Sequence, residues 1–425
     1  MYLRGFFPPI KKENSKMTDK IKVITGGVTA AEGFKAAGIT AGLKKSGKKD
    51  LALIYCEEKS TSAACFTQNK YAAAPVIWSR EHAEKGWSRA VVINSGNANA
   101  CTGEEGYQNA RKMAELVASK LPIFPDEVQV CSTGIIGVQL PMSIIEPGVL
   151  QAVGALSRDG GGDAAEAIRT TDTFAKEIAV EFELDGKLVK MGGISKGSGM
   201  IHPNMATMLA VITTDAVITP AALQQALKEV TDMSFNMISV DGDTSTNDSV
   251  IAFASGMAHN KAIKDDSSAG YAQFAEALQV VLVYLAKEIA RDGEGASKLL
   301  EITVNGAKTV KDARLAAKSV VSSSLVKAAF FGNDANWGRI ACALGYSGAD
   351  FDIKLVDVSL KSAGGEFFVL KGGKDLPFDE ELALKVLSEK EVITTIDFHQ
   401  GQASATAWGC DLTYDYVKIN GDYRS

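Results

Sequence analysis

Apolar and polar positions in the first half of the chain switch between strand-like and helix-like periods. Short apolar runs predict buried strands at 51–55, 90–94 and 128–131. The pattern over 104–121 predicts an amphipathic helix between the last two of these runs. Segments rich in Gly and small polar residues, at 94–99 and 131–134, predict loops at the strand ends, where functional groups are common.

Turn and cap signals extend the pattern through the rest of the chain. Asp185-Gly186 joins two alternating segments and predicts a hairpin over 182–189, so part of a sheet is antiparallel. Thr219 followed by Pro220 predicts a helix start. The remaining predictions are a glycine-rich loop at 192–200, a long helix at 269–291 and strands at 205–212, 299–304, 392–396 and 412–419. Together they predict an α/β (α+β) fold with mixed sheets layered between helices.

Composition and charge exclude several classes of protein. The 425 residues are 46% hydrophobic and 23% charged, which is typical of a globular chain with an ample core. The net charge of -6 argues against a nucleic-acid partner, since binding to phosphate backbones requires a basic surface. The most apolar helix candidate is interrupted by Lys287 and Glu288, so we expect no membrane partner. Residues 1–20 are expected to form an unstructured extension, and Met17 is an alternative start.

Six cysteines are scattered along the chain, without the spacing of a zinc site. They predict buried, reduced thiols, no bound metal and a cytoplasmic location. None of the four histidines lies in a motif typical of a metal or serine-protease site.

One candidate for chemistry is Thr207, which follows the glycine-rich segment and the small residue Ala206. Its hydroxyl could attack the carbonyl of Ala206 and form an ester. Hydrolysis of that ester would cut the chain after residue 206 and leave Thr207 with a free α-amine. The first segment would then carry the predicted domain 21–206 behind the extension 1–20, and the second segment would be 207–425. An α-amine has an unperturbed pKa of about 7.7–8.0, so it can take the proton of its own residue's hydroxyl. On this context alone, an ordinary β-branched strand residue is the favoured interpretation.

The sequence around Thr207 nevertheless resembles the self-cleavage segment of the ArgJ, or ornithine acetyltransferase, family. The resemblance covers all but about the first twenty residues. It rests on KGSGMIHPNMATML (196–209), NSGNANACTG (94–103), STGIIG (132–137), TTDT (170–173), DGDTSTND (241–248), GNDANWGR (332–339) and the terminal 419–425. It implies a layered sandwich of the ArgJ/DmpA-like N-terminal-nucleophile type. It also implies a cut before Thr207 into an α chain and a β chain, which stay together as a heterotetramer of two of each.

The resemblance also implies the site residues. Thr207 is the expected nucleophile, and Thr133 and Gly134 are the expected oxyanion hole. The residues expected to contact substrate are Thr173, Lys196, Thr207, Glu294, Asn420 and Ser425. We expect Lys196 to bind a carboxylate and Glu294 an amine. The chain has Ser425 where the family more often has Thr, and Gly421 where Ala is usual.

The implied activity is ping-pong transfer of acetyl from N2-acetyl-L-ornithine to L-glutamate through an acetyl-Thr207 intermediate, without a cofactor. The sequence leaves open whether acetyl-CoA is a second donor. One alternative keeps the same nucleophile and uses water as acceptor, as an N-terminal-nucleophile amidase or aminopeptidase does. Another alternative is an uncleaved small-molecule binding protein whose glycine-rich loop holds an anion.

Overall fold

The computed structural model describes residues 20–202 and 208–422. The predicted N-terminal extension up to residue 19, the cleavage-site pair Ala206 and Thr207, and the terminal Ser425 lie outside the described residues. Within the described ranges, three β-sheets and the helices between them form layers. The prediction of a layered α/β fold with mixed sheets is confirmed.

The strands in chain order are β1 (Lys22–Ile24), β2 (Phe34–Ile39), β3 (Leu51–Cys56), β4 (Thr61–Phe66), β5 (Ala90–Asn97), β6 (Val128–Ile135), β7 (Lys176–Leu184), β8 (Lys187–Lys196), β9 (Leu209–Thr214), β10 (Ile238–Ser239), β11 (Ser249–Ala254), β12 (Leu299–Ala307), β13 (Asp357–Ser362), β14 (Gly365–Lys371), β15 (Lys374–Asp375), β16 (Glu391–Asp397) and β17 (Ala403–Cys410). The helices are α1 (Ala74–Ala83), α2 (Gly103–Ala118), α3 (Met142–Gly154), α4 (Gly161–Ala167), α5 (Pro220–Met233), α6 (Tyr271–Arg291), α7 (Val310–Ser322), α8 (Ser324–Phe331), α9 (Trp337–Gly345), α10 (Glu380–Leu387) and α11 (Tyr414–Asp422).

The three sheets stack as separate layers. The central sheet has six strands in the order β1-β7-β8-β9-β11-β4. A four-stranded sheet, β2-β3-β5-β6, faces it across α4, while α1, α2 and α3 pack around β3 and β6. A seven-stranded sheet, β10-β17-β12-β16-β13-β14-β15, lies on the other side of the central sheet, across α6.

The position of the central sheet between other layers explains why its strands are continuous apolar runs in the sequence. All six residues of β9 are buried because both faces of the sheet are covered. Leu209 and Val211 join the core beneath the four-stranded sheet, whereas Ala210 and Ile212 join the core around α6. Because successive side chains of a strand point to opposite faces of the sheet, alternate residues of β9 belong to two different cores.

Helix α6 is sandwiched between two sheets, which explains its almost uniformly apolar sequence. It contacts β7 and β8 on one side and β12 and β17 on the other. A helix that is covered on opposite sides needs apolar residues around most of its circumference. No helix among residues 20–202 and 208–422 is both long and apolar enough to cross a membrane.

Two local predictions are confirmed in detail. The hairpin between β7 and β8 turns at Asp185 (φ +50°) and Gly186 (φ +72°), the two positive φ angles that a type I′ turn requires. Helix α5 begins at Pro220, and the Thr219 hydroxyl caps it by accepting a hydrogen bond from the Ala222 N–H.

Other local predictions are wrong. The segments 94–99 and 131–134 are not simple loops, because β5 and β6 continue as a parallel pair through Asn97 and Ile135, with an irregular register near Gly96. The tail at 412–419 is mainly helical, since the Thr413 hydroxyl accepts from the Tyr416 N–H and starts α11. Two of the six cysteines, Cys101 and Cys342, are exposed rather than buried.

The glycine-rich segment 192–200 is a strand over its first half rather than a loop. Gly192 to Lys196 complete β8. A Cβ at Gly192 would lie 1.9 Å from the carbonyl oxygen of Gly27, and one at Gly193 would lie 2.7 Å from Ile212 Cδ1. These glycines are therefore needed for close packing of the sheet, which a loop prediction does not anticipate.

Candidate active site

Distant parts of the chain meet around a cavity of about 160 Å³. The end of β6, the end of β8, the start of β9 and the residues that precede β11 all border it. The cavity-lining residues used below are Thr133, Gly134, Thr170, Thr171, Lys196, Gly199, Met208, Asn247, Asp248, Glu294 and Asn420. Five of the predicted site residues are among them, namely Thr133, Gly134, Lys196, Glu294 and Asn420.

The end of β6 bends where two backbones approach closely. Gly134 has φ +132°, and a Cβ there would lie 2.4 Å from the carbonyl carbon of Gly96 and 2.6 Å from the Asn97 nitrogen. Only glycine fits this irregular pairing without a shift of the backbone. The Thr133 hydroxyl lies 3.4 Å from the Lys196 Nζ. A hydroxyl, an irregular stretch of strand backbone and a cation are thus adjacent in the lining of the cavity.

The amide side chains of the 94–103 motif support this bend. Ser132 Oγ donates to Asn94 Oδ1 (2.6 Å), and Asn94 Nδ2 donates to the Asn97 carbonyl (2.8 Å). Asn97 Nδ2 donates to the Val138 carbonyl (3.1 Å). These hydrogen bonds show that the motif holds the shape of the site.

Lys196 is buried above a network of buried charges. Lys176 Nζ donates to Asp172 Oδ1 (2.7 Å) and to Asp292 Oδ2 (2.6 Å), and the side chains of Lys176 and Asp172 are fully buried. Asp172 also accepts from the Gly197 N–H (2.7 Å) and the Thr170 N–H (3.0 Å). The network therefore holds the backbone at Thr170, which lines the cavity, and at Gly197, which follows the lining residue Lys196.

These charges change the pKa values of the buried groups. Burial alone would raise the pKa of Asp172, but the neighbouring Lys196 and Lys176 ammonium groups outweigh it and hold that pKa well below its usual range. Burial lowers the pKa of the Lys196 ammonium, and the negative charge of Asp172 opposes this effect. Lys196 can therefore lose its proton more easily than an exposed lysine.

Glu294 borders the cavity from the turn that follows α6. Its N–H donates to the Ser198 carbonyl (2.8 Å), and Asn420 Nδ2 of helix α11 donates to its Oε2 (2.9 Å). A Cβ at Gly199 would lie 2.4 Å from the Glu294 carboxyl carbon, so glycine at that position gives the carboxylate room. The C-terminal helix thus reaches the cavity through Asn420.

Two residues before β11 were not predicted as site residues. Asn247 Nδ2 donates to the Ala98 carbonyl (2.6 Å) and the Ser132 carbonyl (2.9 Å), which ties this segment to the bend at Gly134. Asp248 is 2% exposed, and its burial raises its pKa well above the usual range. Both lie in the DGDTSTND motif, but nothing in the sequence showed that the end of this motif faces the cavity.

Thr173 differs from the sequence-based expectation. Its N–H and hydroxyl both donate to Asp292, and it borders a neighbouring groove. The threonines of the TTDT motif that line the main cavity are Thr170 and Thr171. Thr207 itself lies outside the described residues, but its covalent neighbour Met208 lines the cavity.

Among the described residues, no group of three or more His, Cys, Asp and Glu side chains could hold a metal ion. A buried lysine, a half-buried glutamate and several hydroxyl and amide groups instead surround a small cavity. Such a set suits a small zwitterionic ligand, because it offers a cation, an anion and neutral hydrogen-bonding groups.

Comparison with known proteins gives a consistent result. The model of the ArgJ family matches residues 35–425. The chain is 56% identical over 404 residues to the arginine biosynthesis bifunctional protein ArgJ of Symbiobacterium thermophilum, covering 95% of this chain and 99% of that protein. It is 54% identical over 405 residues to the protein of the same name from Caldanaerobacter subterraneus, covering 95% and 100%. It is also 40% identical to the crystallised ornithine acetyltransferase of Mycobacterium tuberculosis, solved in complex with ornithine, over 44% of this chain and 100% of that chain, with a TM-score of 0.41.

Proposed function

The chain belongs to the ArgJ family, and we propose from this premise that it is an acetyltransferase of arginine biosynthesis that cuts itself before Thr207. The enzyme moves acetyl from N-acetylornithine to glutamate. The observation that carries the assignment to this site is the convergence of Thr133, Gly134, Lys196 and Glu294 on one cavity beside Met208.

Each group has a part in the proposed transfer. The Thr207 hydroxyl attacks the acetyl carbonyl while its own α-amine takes the proton. Thr133 and Gly134 donate hydrogen bonds to the oxyanion of the tetrahedral intermediate. Ornithine leaves, and glutamate then attacks the acetyl-Thr207 ester. The same site serves both amino acids because each presents an α-carboxylate and an amine.

Substrate binding follows from the charges. Lys196 binds the carboxylate, which restores the ammonium form that burial disfavours. Glu294 binds the amine of ornithine, and Asn420 holds Glu294 in place. Thr170 and Thr171 supply hydroxyl groups to the same cavity. We assign Thr173 a supporting role through Asp292, and we extend the tail contact to Ser425 on the basis of the sequence resemblance.

The fold explains how two chains would stay together after the cut. Strands β8 and β9 come from opposite sides of the cleavage point and pair antiparallel from Lys196↔Leu209 to Met191↔Thr214. Strands β4 and β11 also come from opposite sides and pair along their whole lengths. Two ladders in the central sheet therefore join the segments. We propose that these paired chains assemble as a heterotetramer of two of each, and that the enzyme is cytoplasmic.

A product assay tests the proposed function. Purified protein is incubated with N-acetylornithine and glutamate, and N-acetylglutamate, ornithine and acetate are measured together. Equal amounts of N-acetylglutamate and ornithine are expected. Release of acetate in place of N-acetylglutamate would favour the amidase alternative, and absence of both products would contradict acyl transfer. A parallel reaction with acetyl-CoA as the donor tests whether the enzyme has the second activity.

A further inference from the structure

The loop that follows β8 packs a glycine directly against the Glu294 carboxylate. A Cβ at Gly199 would lie 2.4 Å from the Glu294 carboxyl carbon and 2.4 Å from its Oε2. The carbonyl of the preceding residue, Ser198, accepts a hydrogen bond from the Glu294 N–H (2.8 Å). The loop therefore contacts both the backbone and the carboxylate of Glu294. A shift of this loop would change where the carboxylate lies in the cavity.

The next residue of the loop has an unfavourable backbone conformation. Met200 has φ +55°, in the left-handed region that residues other than glycine rarely adopt. Such a conformation persists only where the surrounding structure enforces it. The Met200 side chain is 42% exposed, so its packing supplies only part of that restraint. The rest comes from hydrogen bonds to the backbone.

Asp241 makes these hydrogen bonds. Its Oδ2 accepts from the Met200 N–H (2.6 Å), and its Oδ1 accepts from the Ile201 N–H (2.9 Å). A carboxylate is a stronger acceptor for N–H groups than a neutral oxygen. The Val240 N–H, beside Asp241, donates to the Ile201 carbonyl (2.7 Å). Asp241 is not among the described residues that line the cavity, so it can affect the cavity only through this loop.

We propose that Asp241 is a positioning residue for substrate binding. By fixing the backbone of Met200 and Ile201 it sets the position of Gly199, and with it the position of the Glu294 carboxylate that receives the substrate amine. This inference rests on the proposed function, in which Glu294 binds the free amine of N-acetylornithine. It gives a role to the first residue of the DGDTSTND motif, whose last four residues line the cavity.

Two restraints meet at the Glu294 carboxylate. Asn420 Nδ2 of α11 donates to its Oε2 (2.9 Å), and Gly199 borders it from the loop. The hydrogen bond from Asn420 fixes one oxygen but leaves the carboxylate free to turn about it. The contact with Gly199 limits that rotation only while the loop keeps its place. Loss of the Asp241 carboxylate should therefore remove the second restraint and weaken binding of the amine.

A kinetic double-mutant cycle tests this inference. Asp241→Asn keeps the size of the side chain, but its amide nitrogen cannot accept a hydrogen bond, so one of the two backbone N–H groups loses its partner. Initial rates of acetyl transfer would be measured with N-acetylornithine varied at saturating glutamate. We expect KM for N-acetylornithine to rise about 10-fold or more, and kcat to fall by less than about threefold, because binding rather than the chemical step depends on this carboxylate.

The second half of the cycle shows whether Asp241 acts through Glu294. Glu294→Gln removes the charge that pairs with the amine, so it should also raise KM. In the double variant, Asp241→Asn should add less than about twofold, because no carboxylate is left to position. Asp241→Glu keeps two acceptor oxygens at a displaced position, and it replaces Asp241→Asn in the same cycle if that variant does not fold.

Asp215→Asn is the matched control. Asp215 also accepts from two backbone N–H groups with one oxygen each, those of Lys190 (2.8 Å) and Glu32 (3.1 Å). It is not among the described residues that line the cavity. This variant should lose stability in urea unfolding, but its KM for N-acetylornithine should stay within about twofold of the wild-type value.

The outcomes separate this inference from the proposed function. A wild-type chain that transfers no acetyl would overturn both. An active wild type whose KM changes less than about threefold in Asp241→Asn would overturn the role of Asp241 alone. The same conclusion would follow if the two KM effects multiplied in the double variant, because independent effects would mean that Asp241 does not act through Glu294. An equal rise of KM in Asp215→Asn would also contradict it, since a general loss of stability would then explain the change.

Discussion

Replacing Gly134 with alanine should damage both the stability and the activity of the enzyme, through one identifiable contact. Gly134 has φ +132°, and a Cβ would lie 2.4 Å from the Gly96 carbonyl carbon, which is a backbone atom that cannot swing aside. Backbone strain at such an angle costs about 1–3 kcal/mol. Forced overpacking adds about 1–3 kcal/mol. We expect the free energy of unfolding to fall by about 2–6 kcal/mol.

A nearby glycine supplies the matched control. Gly137 also has a positive φ, +83°, but nothing lies within 4 Å of the position that its Cβ would take. Gly137→Ala should therefore cost only the conformational part, about 1–3 kcal/mol. The difference between the two variants isolates the collision with β5.

The rate of acetyl transfer should also differ between Gly134→Ala and Gly137→Ala. Relief of the collision moves the end of β6 and with it the proposed oxyanion hole, and loss of one such donor costs about 2.7–4 kcal/mol, or about 10²–10³ in kcat. Urea unfolding and steady-state transfer of acetyl to glutamate would be measured for both variants. Equal losses of stability and activity in Gly134→Ala and Gly137→Ala would refute the steric reasoning.

Three further predictions follow from the same structure. Thr207→Ala should stay uncut and inactive by intact mass and product assay, while Thr207→Ser keeps a hydroxyl and should cut; cutting of the alanine variant would refute the nucleophile. Asp172→Asn should lower the free energy of unfolding at pH 7 by about 3–5 kcal/mol, because it leaves Lys176 without one of its two buried partners. Since the folded-state pKa of Asp172 is lowered, its stabilisation is present above about pH 3.9 and is lost in acid, so urea titrations should show the gap to the variant narrowing there. Burial lowers the pKa of Lys318 to about 7, so the unfolded chain binds more protons at this residue between about pH 7 and 10.4, and Lys318 contributes a rise of stability with pH over that range. Lys318→Met should flatten this rise, and an unchanged slope would contradict it.

The sequence predicted the elements whose signals are local. The hairpin at Asp185-Gly186 and the start of α5 at Thr219-Pro220 were correct because turn and cap chemistry depends on adjacent residues. The prediction of a strand at 412–419 was wrong because the alternating apolar residues there resemble a strand. The Thr413 hydroxyl that caps α11 also donates a hydrogen bond to the carbonyl of the distant Gly295. Local pattern does not report such tertiary contacts.

The residues of the candidate site were likewise predictable only in part. The family resemblance indicated Thr133, Gly134, Lys196, Glu294 and Asn420, and the structure brings all five to one cavity. The motifs did not distinguish Thr173, which binds Asp292, from Thr170 and Thr171, which line the cavity. They also gave no role to Asp248. The orientation of a side chain within such a motif depends on the neighbouring strands, which a single sequence does not show.

The acetylated intermediate is the most direct test of the central claim. Purified enzyme is incubated with N-acetylornithine alone, quenched in acid, digested and mapped by tandem mass spectrometry. The account predicts one acetyl group on a peptide that begins at Thr207, attached to the side-chain oxygen and lost when glutamate is added before the quench. An active enzyme whose acetyl group is found on another residue, or whose peptide continues unbroken through Ala206 and Thr207, would contradict it.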